Sequence, residues 1–293
     1  MYVITGATGH IGSKIAEQLL AEGKQVRAIA RDGAKLATLK GKGAEIAQGN
    51  IEDTVFLAKA MVGAEGVFIL IPPNLQAEDI AAEQDRVGTA LVKAVSESGV
   101  RNVVFLSSLG AELSKGNGPI AGLHRQELRL NALTGVNVLN LRPGYFMENL
   151  ISNIPIVRNM GINGSAVKGD LRIPQIATKD IATYAAGRLA RLDFSGKEVQ
   201  ELLGERNISM QEATKAIGAA IGKPDLPYVQ FPYEDALKGM MGAGLSRSMS
   251  ESYVEMSRGF NEGLLGKSPR NAGNTTPTSI EAFAPEFARG YGA

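Results

Sequence analysis

In the first 150 residues, short apolar segments alternate with longer stretches in which apolar side chains recur every three or four positions. This pattern predicts strands joined by amphipathic helices, and therefore a parallel sheet covered by helices on both faces. The predicted strands are 2–5, 25–30, 44–47, 66–70, 102–106 and 137–141. The predicted helices between them are 12–22, 33–39, 53–60, 79–98 and 123–134. The fold class is thus α/β, a doubly wound parallel sheet with its ligand crevice at the carboxyl ends of the strands.

After about residue 150 the pattern changes. The segment 159–170 (NMGINGSAVKGD) is rich in glycine and polar residues and indicates loops with a short strand. Thr178 is the predicted N-cap of the next helix, and Ser209 with Glu212 predicts a capping box. Helices are predicted at 178–191, 209–221, near 233–263 and after Pro277. We therefore expect a sheet domain of residues 1–150, to which helix 178–191 returns, and a smaller C-terminal substrate-binding lobe of residues 151–293.

A glycine triplet lies directly after the first strand, where residues 4–12 read ITGATGHIG. Gly6 permits a tight turn, Gly9 lets the backbone approach a phosphate, and Gly12 lets the helix pack on the strand. The free N–H groups at the start of the following helix then point at a diphosphate. The loop therefore predicts a dinucleotide site and a Rossmann NAD(P)-binding domain.

The end of the second strand indicates which dinucleotide is bound. An NAD-specific site would have an acidic residue there, to hold the ribose 2′-hydroxyl. This chain has Arg31, 19 positions after Gly12, with Lys35 one turn later. Both side chains suit a 2′-phosphate. Asp32 can contact a 2′-hydroxyl or cap the next helix, and the cap is the stronger interpretation. We expect NADP(H) in preference to NAD(H), with no flavin and no metal.

Composition narrows the possible partners of the chain. Of 293 residues, 44% are hydrophobic, 31 are lysine or arginine and 30 are acidic. This balance argues against direct nucleic-acid binding and against binding to anionic membranes. There is no cysteine, which excludes disulfides and thiolate metal sites and suits a reducing cytoplasm. Met1 leads straight into the first strand, and the strongest apolar run, 67–71, is too short to span a bilayer. We expect a cytoplasmic monomer or homodimer, with a regulatory protein as a possible further partner.

Further motifs carry a resemblance to a known family. They are the glycine loop, Asn50-Ile51-Glu52-Asp53, residues 142–149 (RPGYFMEN) and residues 276–281 (TPTSIE). Together they resemble the NmrA-like branch of the atypical short-chain dehydrogenase/reductases over nearly the whole chain. That branch contains NADPH-dependent reductases of quinones, dyes and azo compounds. It also contains redox-sensing regulators that bind NADP(H) without obvious turnover.

The resemblance implies that segment 143–146 lines the nicotinamide. It also implies that the cofactor is contacted by Gly6, Thr8, Gly9, His10, Ile11, Arg31, Asn50 and Ile71. The complete set of candidate cofactor-binding residues is Gly6, Thr8, Gly9, His10, Ile11, Gly12, Arg31, Lys35, Asn50, Ile51, Ile71, Pro72, His124, Pro143, Gly144, Tyr145 and Phe146.

The chemistry of the site departs from that of the parent superfamily, which uses a serine after the fifth strand and a Tyr-x-x-x-Lys pair. The resemblance places His124 at the lysine position and Ile120 at the tyrosine position, so tyrosine-based alcohol–ketone chemistry is not expected. His124 can donate a proton, bind the ribose or bond local backbone. Tyr145 can donate a proton or stack on a ring. Ser107 can orient the substrate or end its strand. These three are the catalytic candidates.

Three functions compete. The first is an NADP(H)-dependent oxidoreductase that transfers a hydride to an electrophilic small molecule, such as a quinone, an azo compound or a dye, because such acceptors need little proton assistance. The second is an NADP(H)-sensing regulatory protein with little or no turnover. The third is an isomerase or epimerase with tightly held NAD(P), against which the missing tyrosine argues.

Overall fold

The computed structural model describes residues 1–292. Its strands are β1 (Tyr2–Ile4), β2 (Val26–Ala30), β3 (Glu45–Gln48), β4 (Gly66–Ile69), β5 (Asn102–Leu106), β6 (Asn137–Pro143), β7 (Tyr145–Phe146), β8 (Asn163–Ser165), β9 (Ile173–Ile176), β10 (Lys197–Leu202), β11 (Asn207–Ile208) and β12 (Tyr228–Gln230). Seven of them form a central parallel sheet in the order β10-β6-β5-β4-β1-β2-β3. All six strands predicted for the first half are present, so the α/β prediction is confirmed.

The helices follow the predicted periodicity with local differences. They are α1 (His10–Ala21), α2 (Ala37–Gly41), α3 (Thr54–Met61), α4 (Ile80–Ser98), α5 (Ile120–Asn131), α6 (Ile154–Met160), α7 (Thr178–Arg191), α8 (Met210–Ala220), α9 (Tyr233–Gly242), α10 (Arg247–Asn261) and α11 (Ile280–Gly292). The predicted helix 33–39 is a 3₁₀ turn, Gly33–Leu36, followed by α2, and the helical region near 233–263 is two helices, α9 and α10. A second 3₁₀ segment, Met147–Asn153, leads into α6.

The seventh strand of the sheet, β10, was not predicted from the sequence. It pairs in parallel with β6, from Lys197 opposite Val138 to Leu202 opposite Pro143. Its sequence, KEVQEL, is largely polar because β10 lies at the edge of the sheet and buries little beyond Leu202. Charged residues on an edge strand also hinder pairing with another chain. An edge strand such as β10 therefore has no clear hydrophobic pattern from which it could be predicted, whereas the buried central strands are recognisable as apolar runs.

Helix α7 lies on the same face of the sheet as α1. Its buried side chains Ile181, Ala185 and Leu189 share an apolar cluster with Ile15 and Leu19 of α1. The opposite face of the sheet is covered by α3 and α4, whose Leu57 and Leu91 pack with β-strand residues in a second cluster. Residues 178–202 therefore belong to the layers of the central sheet.

The remaining segments form the smaller lobe. Strands β11, β9 and β7 make one small sheet, and β12 with β8 makes another. The core of the lobe packs the 147–157 segment against α8 and α11 through Leu150, Ile217, Phe283 and Phe287. Since β7 follows β6 after only Gly144, the small sheet starts at the carboxyl end of the central sheet.

Two of the three predicted caps are present. Asp32 accepts a hydrogen bond from the backbone N–H of Ala34, and Ser209 with Glu212 forms the capping box. Thr178 is not an N-cap, because Ala177 takes that position. Instead, the N–H and hydroxyl of Thr178 both donate to the Glu148 carboxylate, at 2.9 Å and 2.5 Å from Oε1. Burial raises the pKa of Glu148. The Glu148 carboxylate, 30 residues away in the chain, thus accepts the hydrogen bonds at the start of α7 that a local N-cap side chain would otherwise accept. The spacing of residues in the sequence does not indicate such a long-range contact.

Lys197 ties β10 to the end of α5, and its replacement offers a test of that connection. Its ammonium donates to the carbonyls of Leu130, Leu133 and Val136, at 3.3, 2.9 and 2.6 Å. A cation at a helix C-terminus stabilises the last carbonyls of the helix. We expect Lys197→Met to lower the free energy of unfolding by roughly 1 kcal/mol, since water replaces part of each bond. Thermal unfolding should show a melting temperature lower by about 2–4 °C.

The exposed Lys215 on α8 provides the matched control, since no hydrogen bond or ion pair of its side chain occurs within residues 1–292. Lys215→Met should leave the melting temperature unchanged within error. An equal loss in both variants would show that the carbonyl contacts of Lys197 do not matter.

Candidate functional site

The glycine loop between β1 and α1 leaves no room for a side chain at Gly6 or at Gly12. Gly6 has a φ of +61°, and a Cβ placed there would lie 2.7 Å from Cδ2 of Leu70. A Cβ on Gly12 would lie 2.4 Å from the carbonyl oxygen of Gly6. The start of α1 therefore lies directly against the loop, as predicted. The contact between Gly6 and Leu70 places the carboxyl end of β1 beside that of β4, where the strand order reverses and ligands of this fold class bind.

The N-terminus of α1 is open to a ligand. Its N-cap is Gly9, which supplies no side-chain hydrogen bond, and the first turn has no acidic side chain. Thr8, Gly9 and His10 are all exposed, whereas Ile11 is buried beneath them. Unpaired N–H groups and the positive end of a helix dipole attract anions. A dinucleotide diphosphate fits this cradle, because Thr8, Gly9 and His10 are exposed and no acidic side chain lies in the first turn.

The two cations at the end of β2 have the exposure that a phosphate site needs. Arg31 and Lys35 are exposed, and neither side chain forms a hydrogen bond or ion pair with another described residue. The carboxylate of Asp32 accepts from the Ala34 N–H at 3.0 Å. Asn50 lies exposed after β3, and its side chain accepts from the N–H of Glu52. Asp32 is thus occupied as a cap while the guanidinium of Arg31 is available.

The remaining cofactor candidates lie along the carboxyl edge of the sheet. Ile51 and Ile71 are half-buried against the apolar cluster on the α4 face, and Pro72 is exposed after β4. Gly144 contacts β9 so closely that a Cβ would lie 2.7 Å from the Pro174 carbonyl oxygen. Pro143 is buried, and Phe146 packs against the cluster on the α7 face.

His124, on the second turn of α5, has a defined orientation. Its Nδ1 lies 2.8 Å from the carbonyl oxygen of Ala111. A carbonyl only accepts, so Nδ1 carries the proton in the neutral ring and Nε2 keeps its lone pair. The loop that presents Ala111 is closed by Asn117, whose side-chain amide donates to the carbonyls of Gly110 and Leu113 at 2.9 and 2.8 Å. Of the three roles expected for His124, the hydrogen bond to local backbone is therefore present. Nε2 remains free to donate a proton or to bind the ribose.

Ser107 belongs to a buried polar network that the sequence did not suggest. Its hydroxyl donates to Oε1 of Glu127 at 2.5 Å. Arg142 holds the same carboxylate through two bonds, of 2.9 Å from Nε and 2.6 Å from Nη2. Glu127 and Arg142 have side-chain exposures of only 6% and 14%. The Ser107 hydroxyl is thus committed to linking β5, α5 and β6. The one signal in the sequence was Arg142, an arginine directly after the predicted strand 137–141.

Tyr145, on β7, lies in an apolar cluster with Ala111 and Ile120. Its ring meets the edge of Phe260 from α10, with centroids 6.4 Å apart and an interplanar angle of 78°. Burial raises the pKa of the Tyr145 hydroxyl, so the group remains protonated at neutral pH. The carbonyl oxygen of Ala111 accepts the hydrogen bond from His124, and Ile120 precedes His124 by one helical turn. The cluster therefore brings the elements that carry His124 and Tyr145 together.

Between residues 1 and 292, no three histidine, aspartate or glutamate side chains are grouped so that they could hold a metal ion. The same residues include no helix with the length and apolar character needed to cross a membrane.

Comparisons with known proteins relate this geometry to a family. The model of the NmrA-like family matches residues 2–283. An NAD(P)H azoreductase of Xenophilus azovorans is 29% identical over 300 residues, covering 100% of both chains. Among solved structures, an NADPH-dependent quinone oxidoreductase of Escherichia coli, complexed with NADPH, has a TM-score of 0.81 at 22% identity, covering 98% of this chain and 99% of that one. The Citrobacter sp. triphenylmethane reductase, complexed with NADP(H), has a TM-score of 0.83 at 20% identity, covering 98% and 100%. Both solved proteins share the fold described above.

Proposed function

The chain belongs to the NmrA-like family, and from that membership we propose that it is an NADP(H)-dependent reductase that transfers a hydride to an electrophilic small molecule. The full-length similarity to an azoreductase supports a reductase over a nucleotide sensor. Quinones, azo compounds and dyes are the acceptor classes proposed. A cytoplasmic location, where reduced nucleotide is plentiful, is part of the same proposal.

The observation that carries the proposal is the composition of the site around α5. An open glycine cradle is combined with a helix that has a buried isoleucine, Ile120, one turn before His124. A site without a tyrosine at that position has no strong proton relay for an alcohol or ketone. Strongly electrophilic acceptors need less proton assistance than ketones, because the cofactor's hydride does most of the chemistry.

The residues of the cradle would bind the cofactor through backbone groups. Bound NADPH would supply the hydride. The N–H groups at the start of α1 would hold the diphosphate, and Arg31 with Lys35 would hold the 2′-phosphate. The latter assignment makes NADP(H) the preferred nucleotide, because a guanidinium matches the geometry of a phosphate and stays charged. Ile71 and segment 143–146 would contact the nicotinamide end.

His124 and Tyr145 would serve the reacting end of the site. The bond from Nδ1 to Ala111 fixes the ring of His124, so that Nε2 can bind the nicotinamide ribose or, when protonated, donate to the reduced acceptor. Tyr145 keeps its proton at neutral pH and can donate a hydrogen bond. Ser107 acts through Glu127 and is a positioning residue for α5 in this proposal.

The direct test is consumption of NADPH at 340 nm with a panel of acceptors. The panel contains 1,4-naphthoquinone, an azo dye and the cationic dye crystal violet, each with a control that omits the acceptor. We expect acceptor-dependent turnover on the order of 1–10 per second for at least one class. Consumption no faster than the acceptor-free control across the whole panel would contradict the proposed function.

A further inference from the structure

The inner face of α10 carries a row of large side chains that the function described so far does not use. Met249, Tyr253, Met256 and Phe260 are spaced by four, three and four residues, so they lie along one side of the helix. Met249 and Phe260, at the two ends of the row, are buried to 1% and 7% exposure. Tyr253 and Met256, in the middle, are only half-buried.

The N-terminal end of α10 is attached to the loop that follows β4. The hydroxyl of Ser246 donates to the carbonyl of Ala77 at 2.6 Å, and its backbone N–H donates to the carbonyl of Leu75 at 2.8 Å. Met249 and Tyr253 pack against Ala77 and Ile80. This end of the helix therefore lies above the carboxyl end of β4.

The rest of α10 is attached to the loop that follows β5. The Glu255 carboxylate accepts from the N–H of Gly116 at 2.8 Å. A Cβ on Gly118 would lie 2.1 Å from the carbonyl oxygen of Ser252, so the helix touches this loop directly. Because β4 and β5 are neighbours, α10 spans the carboxyl edge of the sheet. Met256, in the half-covered middle of the helix, packs in the same apolar cluster as Tyr145 and Ile120.

Tyr253 is the polar group in this half-covered middle. Its hydroxyl forms no hydrogen bond with any residue from 1 to 292. Tyr253 lies one turn before Met256, which packs with Tyr145, and burial raises the pKa of the Tyr253 hydroxyl. Both phenols therefore remain hydrogen-bond donors at neutral pH.

The charged residues of α10 are engaged elsewhere. Glu255 bonds Gly116, Arg258 lies 4.5 Å from the centre of the Tyr233 ring, and Arg247 pairs with Glu251. The face that Tyr253 and Met256 present is thus uncharged. Methionine and aromatic side chains of this kind suit flat apolar molecules.

We propose that Tyr253 is an acceptor-binding residue, whose hydroxyl donates a hydrogen bond to a carbonyl oxygen of a neutral planar quinone held against Met256. The proposal rests on the proposed reductase function and narrows its acceptor class. A cationic dye without a carbonyl oxygen would gain nothing from this hydroxyl.

The test uses Tyr253→Phe, which keeps the ring and its packing on Ala77 and Ile80. Binding of 1,4-naphthoquinone is measured by calorimetry in the presence of NADP⁺, whose oxidised ring cannot donate a hydride. We expect the Kd for the quinone to rise about tenfold, which corresponds to the loss of one hydrogen bond. The KM for the quinone should rise similarly, while that for crystal violet and the Kd for NADPH change less than about twofold. Tyr291→Phe, on α11 in the far lobe, is the matched control and should leave all four values unchanged.

Each outcome is informative. If the wild type binds the quinone but reduces no acceptor of the panel, and Tyr253→Phe weakens quinone binding, the acceptor site stands and the proposed reductase function fails. If quinone and dye kinetics are equal in wild type and variant, the role of Tyr253 is overturned while the reductase function stands. Absence of quinone binding to the wild type, or an equal loss with both acceptors, also overturns the role of Tyr253.

Discussion

Replacing His124 by alanine is expected to lower kcat for 1,4-naphthoquinone about 100-fold, the lower range for losing a positioned proton donor. The structure predicts this because Nε2 is the ring nitrogen left free by the bond from Nδ1 to Ala111. The dissociation constant for NADPH should change less than about threefold, since the diphosphate cradle lies on the separate loop of residues 6–12. Stopped-flow absorbance at 340 nm and a fluorescence titration with NADPH measure the two effects.

His124→Asn separates the structural role of the ring from its chemical role. An asparagine amide can donate to the carbonyl of Ala111, as Nδ1 does, but it supplies nothing at the position of Nε2. If Nε2 acts in the reaction, the asparagine variant will be as slow as the alanine variant. Recovery of wild-type kcat by asparagine would show that His124 only holds the loop that presents Ala111.

Replacing Arg31 by alanine should weaken NADPH binding by roughly 10- to 100-fold, the effect of losing one or two charge-assisted hydrogen bonds. The dissociation constant for NADH should change less than about twofold, because NADH lacks the 2′-phosphate. The guanidinium is exposed and has no partner within the described residues, so its removal should leave the fold unchanged. Parallel fluorescence titrations with the two nucleotides give the ratio directly.

Arg101→Ala is the matched control for the loss of one positive charge. Arg101 is exposed and precedes β5 at the amino edge of the sheet, opposite the crevice. It should leave both titrations unchanged at low salt, where long-range attraction is strongest. A similar weakening of NADPH and NADH by Arg31→Ala would refute the 2′-phosphate role.

The central strands and the glycine loop could be predicted because their determinants are local. A buried parallel strand is an apolar run, and a glycine at 6 or 12 reflects the absence of space for a Cβ. The boundaries of α5 and of the helices near 233–263 shifted by a few residues or divided, because caps and turns depend on contacts with distant segments. The cap of α7 by Glu148 is one such contact.

The polar network and the α10 face could not be predicted, since both depend on residues far apart in the chain. The network joins three segments of the chain through Ser107, Glu127 and Arg142. The spacing of these residues does not indicate that Ser107 and Arg142 both donate to the Glu127 carboxylate. Tyr253 is 108 positions from Tyr145, and α10, which carries it, is attached to the loops that follow β4 and β5.

The return of α7 and β10 to the central sheet has a consequence for how the molecule can be divided. The chain leaves the sheet after β6, comes back for residues 178–202 and leaves again, so three separate connections join the two lobes. We propose that the cofactor-binding domain comprises residues 1–150 together with 178–202. A fragment ending at residue 150 would expose the backbone of β6 as a long edge strand, with the adjacent apolar face of α1 uncovered. Such an edge is a template for aggregation. We therefore expect the two lobes to fold together as one unit.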